Sequence, residues 1–240
     1  MNVRSVRLLD HDPELADGLR GVRSDAACAA VTIRVARLPD GRFEPDAVIA
    51  AGAARYGLLL IDGLVDRQIT LGETTASHLL GPGDVIAAAW DAPYEATLTA
   101  AIAWFALGGV DVALLADDFV AAVRPWPEVL AAMMARAGRQ AAGVGLRSAI
   151  LQLPRVEDRV DALLRYLASR WGRVTPDGLL VPIRLTHETI GRLIGARRPT
   201  VSLALRQLEA EGVVRRAPHG AAWLLPRERR TDEPPAAVPA

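Results

Sequence analysis

From Val31 to Leu38 the apolar residues Val31, Ile33 and Val35 fall on alternate positions, and Tyr56 to Ile61 is a nearly unbroken apolar run. Alternation and short runs of this kind predict β-strands. The turn residues between segments, Asp40-Gly41, Asp62-Gly63 and Gly81-Pro82-Gly83, predict that the strands are short and reverse direction. Closely spaced strands with glycine turns imply an antiparallel roll or barrel. Ahead of them, Asp10 to Leu19 predicts one short helix, with Asp12 as cap and Pro13 at its first position.

The period changes after Asp117-Asp118, which predict a helix cap. A helical segment broken at Pro125-Trp126-Pro127 leads into a long stretch from Glu128 to Leu153. Within it Leu130, Met134, Ala137, Ala141, Val144, Ser148 and Leu151 recur at alternating steps of four and three, the seam of a two-stranded coiled coil. Either a second copy covers this seam or it packs on the chain's own roll. Pro154 predicts a hinge, and Val156, Val160, Leu163, Leu164 and Leu167 give the next helix, Val156 to Trp171, one apolar face.

Leu185 to Leu225 predicts helix, tight turn, helix and a two-stranded hairpin. Thr186 is placed to cap the first helix, with Glu188 in its first turn. Gly195 and Ala196 form the turn, Pro199 sits in the first turn of the second helix, and Gly212 stops it after Glu211. At ~100° per residue, Val201, Ala204, Leu205 and Leu208 share one face and Pro199, Ser202, Leu203 and Arg206 the other. A helix-turn-helix of this form lays its second helix in the DNA major groove. Arg197, Arg198 and Thr200 stand at the entry to that helix, cations and a hydroxyl where phosphates and guanine edges would be. Val213 to Arg216 and Ala222 to Leu225, around Pro218-His219-Gly220, predict a wing.

Charge divides the chain. Residues 1 to 123 hold 9 arginines against 17 acids and residues 124 to 230 hold 19 against 9, so the basic half is the one with the helix-turn-helix. Cys28 is the only cysteine, which excludes an intrachain disulfide and an all-cysteine iron–sulfur cluster within one chain. No apolar run approaches the ~20 residues of a membrane span and the first residues lack a secretory pattern, so the expectation is a cytoplasmic protein with no membrane partner. No nucleophile, base and orienting group recur at a recognised spacing, and neither a phosphate loop nor a metal-ligand cluster stands out, so the chain is expected not to be an enzyme and to hold no metal.

The stretch LTHETIGRLIGARRPTVSLALRQLEAEGVV resembles the helix-turn-helix of the Crp/Fnr family of bacterial transcription regulators. The resemblance implies an α+β chain: a cyclic-nucleotide-binding-like antiparallel β-roll over residues 1–123, a dimerisation helix over 124–153 and a winged helix-turn-helix over 154–226, with a disordered tail at 227–240. GLLLIDGLV from Gly57 and GPGDVI from Gly81 resemble the two glycine-marked turns of that roll. By similarity Arg198 would read guanine, Thr186 and Thr200 would hold phosphate, and His219 would touch the backbone from the wing. Arg159, near the start of its helix, is expected to touch phosphate as well. Two positions depart from the best-known members, which carry a glutamate where this chain has Pro199 and a second base-reading arginine where it has Leu203. The implied partners are double-stranded DNA, a second copy of the chain through Leu130, Met134, Ala137, Ala141, Val144 and Leu151, and RNA polymerase.

Family members that bind cyclic nucleotides place a glutamate and an arginine after the second glycine turn. Here that stretch reads AAAWDAPYEATLTAAIAWFAL, and no arginine or lysine occurs from Gln68 to Val123. A buried phosphate without a cation is heavily penalised by desolvation. No cofactor is expected, and the effector is expected to be something other than cyclic AMP unless Arg124 or Arg136 reaches in from the long helix. Trp90, Tyr94, Trp104 and Phe105 either line an apolar pocket or pack the core. The alternative to a sensor is a constitutive DNA binder whose roll is a scaffold.

Overall fold

The computed structural model describes residues 2–88, 100–217 and 222–226, and the chain divides into two compact units, Met1–Ala149 and Ile150–Ala240. The first unit is built on an antiparallel sheet in the order β1 (Val3–Arg7), β2 (Thr32–Leu38), β7 (Ala101–Leu114), β4 (Leu58–Leu71), β5 (Thr74–Leu80). The short strands β3 (Gly41–Phe43) and β6 (Val85–Ile86) add to β7 and β4.

Register explains the burial. Ala36 and Leu60 flank Val112, Leu58 lies opposite Leu114, and all five belong to one apolar core, while Val35 and Leu59 flank Ala113 and belong with it to a second. Successive residues of a strand point to opposite faces. The sheet is therefore buried on both sides at its centre, and its middle strands carry continuous apolar runs rather than alternation. The second core is covered by helices, through Leu8 and Leu9 of α1 (Leu8–His11), Leu15, Ala27 of α2 (Val22–Ala30), Phe119 and Val123 of α4 (Asp117–Val123), and Val129 of α5 (Pro127–Gln152). A further helix, α3 (Pro45–Gly52), contributes Ile49 to the first core.

One turn expectation and two cap expectations change. Asp62-Gly63 does not end a strand: β4 continues through it as a bulge, with register shifts on either side of Asp62. Gly63 has φ of 85°, and a Cβ there would come within 2.8 Å of the Gly109 carbonyl oxygen, so the extra residue fits only without a side chain. Asp12 stands at the N-cap of a 3-10 turn (Pro13–Ala16) but does not cap it with its side chain. Its carboxylate takes both arms of the Arg136 guanidinium from α5, and Glu14 accepts a third bond at 3.1 Å. Asp117 and Asp118 are likewise in the first turn of α4 rather than its cap, which is Ala116, and Asp118 accepts from Arg34 at 2.7 Å.

The second unit is organised by α6 (Val156–Trp171), which packs against α7 (His187–Ile194), α8 (Arg198–Ala210) and the strands β9 (Gly178–Val181) and β11 (Trp223–Pro226). These strands join β8 (Arg173–Thr175) and β10 (Arg215–Arg216) in a sheet ordered β10-β11-β9-β8. Val160, Leu163, Leu164 and Leu167 of α6 are buried, as the apolar stripe in that stretch requires. The β8–β9 hairpin, which no alternation announces, arises where Thr175-Pro176-Asp177-Gly178 turns the chain back, with Thr175 donating to the Gly178 carbonyl at 2.8 Å.

Candidate nucleic-acid interface

The helix-turn-helix is fixed by local chemistry at each joint. Thr186 Oγ1 accepts from the Thr189 amide at 3.0 Å and so closes the start of α7. Glu188 and Arg192 pair at 2.8 Å along its exposed side. Gly195 ends the helix with φ of 64°, and the Ala196 amide returns to the Gly191 carbonyl at 2.9 Å, a left-handed stop that only glycine adopts without strain. Arg197 is then the extended N-cap of α8.

On α8 the two faces separate as the 100° count requires. Val201, Ala204, Leu205 and Leu208 are buried, whereas Arg197, Arg198, Pro199, Thr200, Leu203 and Arg206 are exposed. The first turn contains no acid and no side-chain cap. Neither Arg197 nor Arg198 forms an ion pair among the described residues. A helix N-terminus with open amides and two free guanidinium groups is an attractive site for an anion.

Two expected contact residues have partners within the chain, and a third is not described. Ser202 is half-buried, and its hydroxyl bonds the Arg198 carbonyl at 3.0 Å and lies 2.8 Å from His187 Nδ1, so it is engaged inside the unit. Arg159 donates to the carbonyls of Leu153 at 2.6 Å and Ile194 at 3.4 Å. It thereby caps backbone oxygens that would otherwise be unsatisfied. His219, with Pro218 and Gly220, lies outside the described residues.

Sequence periodicity gives no sign of the contact between His187 and Arg216, which lie 29 positions apart. His187 opens α7 with Nε2 3.0 Å from Arg216 Nη2 of β10. Arg216 also stacks 4.3 Å above the buried Trp223 ring and lies 3.8 Å from Glu209. Burial, followed by Arg216 and Arg198, holds the His187 imidazole below its ordinary range against the opposing pull of Glu209. The doubled Arg215-Arg216 in the wing strand is the only cue in the sequence.

On α5 the predicted seam faces outward: Leu130, Met134, Ala137, Ala141, Val144, Ser148 and Leu151 are all exposed, Met134 at 70%. The stripe that turns inward is instead Val129, Met133, Arg136, Gln140, Gly143 and Ile150. The seam therefore does not pack on the chain's own roll.

In the roll, Trp104 is buried in the first core and packs on Phe43, 6.3 Å between ring centroids. Phe105, its neighbour in the strand, is half-buried, while Trp90 and Tyr94 lie outside the described residues. Arg136 is committed to Asp12 and Glu14, with its guanidinium against Gly83 of the second glycine turn, and Arg124 is exposed. Burial alone would lower the Arg136 pKa, but the bonds from Asp12 and Glu14 outweigh it and hold the group charged. The cation that does share a face with Trp104 is Arg67, one residue before the arginine-free stretch. It pairs in register with Trp104 and His78 and sits 5.4 Å over the indole. Among the described residues, no group of His, Cys, Asp and Glu could hold a metal ion, and no helix is long and apolar enough to cross a membrane.

Residues 158–229 match the model of the Crp-like helix-turn-helix domain family. No curated protein sequence matches the chain. Among solved structures, the chain is similar to a CooA mutant from Carboxydothermus hydrogenoformans, at 16% identity and a TM-score of 0.59 over 92% of this chain and 90% of that one. It is also similar to FixK2 from Bradyrhizobium japonicum, at 19% identity and 0.55 over 80% and 92%. A third likeness is the CRP-family regulator TTHB099 from Thermus thermophilus, at 21% identity and 0.51 over 79% and 91%. At these identities the structural likeness shows the fold alone, and the family match is to the helix-turn-helix domain over residues 158–229. Residues 158–229 thus form a Crp-like helix-turn-helix domain, and the chain as a whole has the fold that these regulators share.

Proposed function

We propose that the protein acts as a homodimer that reads an inverted repeat, one α8 in each major groove, under the control of an effector other than cyclic AMP on its roll. The observation that carries the DNA-reading half is the first turn of α8, where Arg197, Arg198 and Thr200 are exposed beside open amides with no acid among them. Arg198 would take a guanine edge, Arg197, Thr200 and the hydroxyl of Thr186 would hold phosphate, and Arg206 would extend the basic face one turn on. Pro199 brings no amide hydrogen to that turn and Leu203 no donor. Dimerisation is supported by the exposed apolar seam of α5, and half-sites about one helical turn apart would follow from it.

An effector would act by biasing the two α5 helices, and with them the spacing of the recognition helices. An effector other than cyclic AMP is supported by the absence of arginine between Gln68 and Val123 and by the commitment of Arg136 to Asp12. RNA polymerase would be the further partner of a regulator that activates. The decisive experiment is binding-site selection on randomised duplex DNA together with the mass of the protein in solution. A palindromic logo, binding that weakens steeply with salt, and a dimer at micromolar concentration are expected. A monomer, or binding indifferent to salt, refutes the proposal. Calorimetric titration of the protein with cyclic AMP should show no heat of binding at millimolar concentration; tight binding would assign Arg67 the role of phosphate partner.

A further inference from the structure

His187 joins two elements through bonds that leave little freedom in how its proton is placed. A guanidinium only donates, so the imidazole Nε2 that faces Arg216 Nη2 at 3.0 Å is an acceptor. A neutral ring with Nε2 as acceptor carries its hydrogen on Nδ1, which then donates to Ser202 Oγ at 2.8 Å. The Ser202 hydroxyl passes its own hydrogen to the Arg198 carbonyl at 3.0 Å. One directional chain thus runs from β10 of the wing sheet, through the first residue of α7, to the first turn of α8.

We infer that neutral His187, protonated on Nδ1, is the positioning residue that ties the wing strand to the first turn of the recognition helix and holds Arg198 in place for base reading. The inference rests on α8 being the helix that reads DNA. A second proton would go to Nε2, turning the acceptor into a donor aimed at a guanidinium. Both the hydrogen bond and the charge balance then fail. The charged groups facing the ring are Arg216 from β10 and Arg198 and Glu209 from α8, two cations to one carboxylate, while Glu188 on its own helix is turned to Arg192. Arg216 released in this way still has Glu209 at 3.8 Å, so the wing can shift without losing every contact.

Two measurements on the full-length protein test this. Long-range proton–nitrogen NMR of the free protein near neutral pH should show the His187 hydrogen on Nδ1 and a lone pair on Nε2; hydrogen on Nε2 overturns the inference without any reference to DNA. The second compares affinity for the duplex recovered by selection with affinity for an unrelated duplex of equal length, from pH 8 down to the pH at which the same NMR shows the His187 ring doubly protonated, at constant ionic strength. Wild type should lose about fivefold in that ratio on acidification, the scale of one neutral hydrogen bond. In His187→Gln the side-chain oxygen can still accept from Arg216 and does not titrate, so its ratio should stay level. His187→Phe, lacking both bonds, should sit near the acid wild-type value at every pH. His11, His78 and His219 remain in each variant, so the difference isolates His187. Selectivity at pH 8 with a profile that is flat in wild type, or equally steep in His187→Gln, overturns the inference; no selectivity at any pH overturns instead the assignment of α8 as the reading helix.

Discussion

The two units use the same side chain, arginine, in opposite ways. In the first unit guanidinium groups are turned onto carboxylates: Arg136 on Asp12 and Glu14, Arg4 and Arg37 on the two oxygens of Asp111, Arg34 on Asp118, and Arg23 on Glu128. In the second unit pairs such as Arg165–Asp161 stay on the outer faces of helices, and the entry to α8 leaves Arg197 and Arg198 without an acid. A paired guanidinium holds elements together and adds little field; an unpaired one on a protruding helix is a source of positive potential. Total charge is zero, so it is the division of charge between the halves, together with this partition of pairs, that leaves positive potential at the entry to α8.

The contrast can be broken most sharply at Arg136. It is buried and its loss strands the Asp12 carboxylate, so Arg136→Ala should destabilise the first unit by about 3–5 kcal/mol, the penalty of an orphaned buried charge. Denaturant unfolding followed by a probe in that unit checks this, and a change under ~1 kcal/mol would mean that the pair is solvated. Arg198→Ala should leave stability alone and weaken binding to the selected duplex by about 1–3 kcal/mol, with preference lost at one guanine per half-site. Arg197→Ala should weaken all duplexes alike and lower the salt slope by about one unit. If site selection shows the reverse for the two, their roles are exchanged.

Smaller effects sharpen the same line. Thr186→Ala removes the α7 cap and should lower the stability of the second unit by ~1 kcal/mol, with Thr186→Ser restoring most of it. Replacing Arg165, whose pair with Asp161 is a surface i,i+4 contact, should change stability by less than ~0.5 kcal/mol. Acid should separate the units as well. His187 has a depressed pKa when folded, so its contribution is present above the unfolded value near 6.5 and is lost as pH falls below it. Asp118, held low by Arg34, contributes above its ordinary 3.8 and is lost only as pH falls further. Hydrogen exchange on a descending pH series should show protection around His187 fading first, and protection at the start of α4 later.

The helical half of the chain is legible in detail because its signals are local. The 3.6 period, the Thr186 cap, Gly195 and Pro199 each act within one turn, and the burial of Val201, Ala204, Leu205 and Leu208 follows from counting alone. The roll is legible only coarsely, for a physical reason. β7, its central strand, is buried on both faces through Val112 to Leu114, so its sequence there is apolar without alternation and offers no period to count. Asp62-Gly63 looks like a turn because a bulge and a turn both call for glycine. Asp12 looks like a cap because nothing near it in sequence announces Arg136, 124 positions away. Sequence separation also hides the His187–Arg216 contact and the partners that the folded chain supplies to Ser202 and Arg159.

Leu203 stands 59% exposed amid the arginines of α8. Covered by a groove wall, its methyl groups would leave water, a contribution that added salt does not screen and that carries a negative heat-capacity change. Association with the selected duplex should therefore grow more exothermic on warming, and Leu203→Ser should flatten that slope while leaving the dependence on ionic strength as it was.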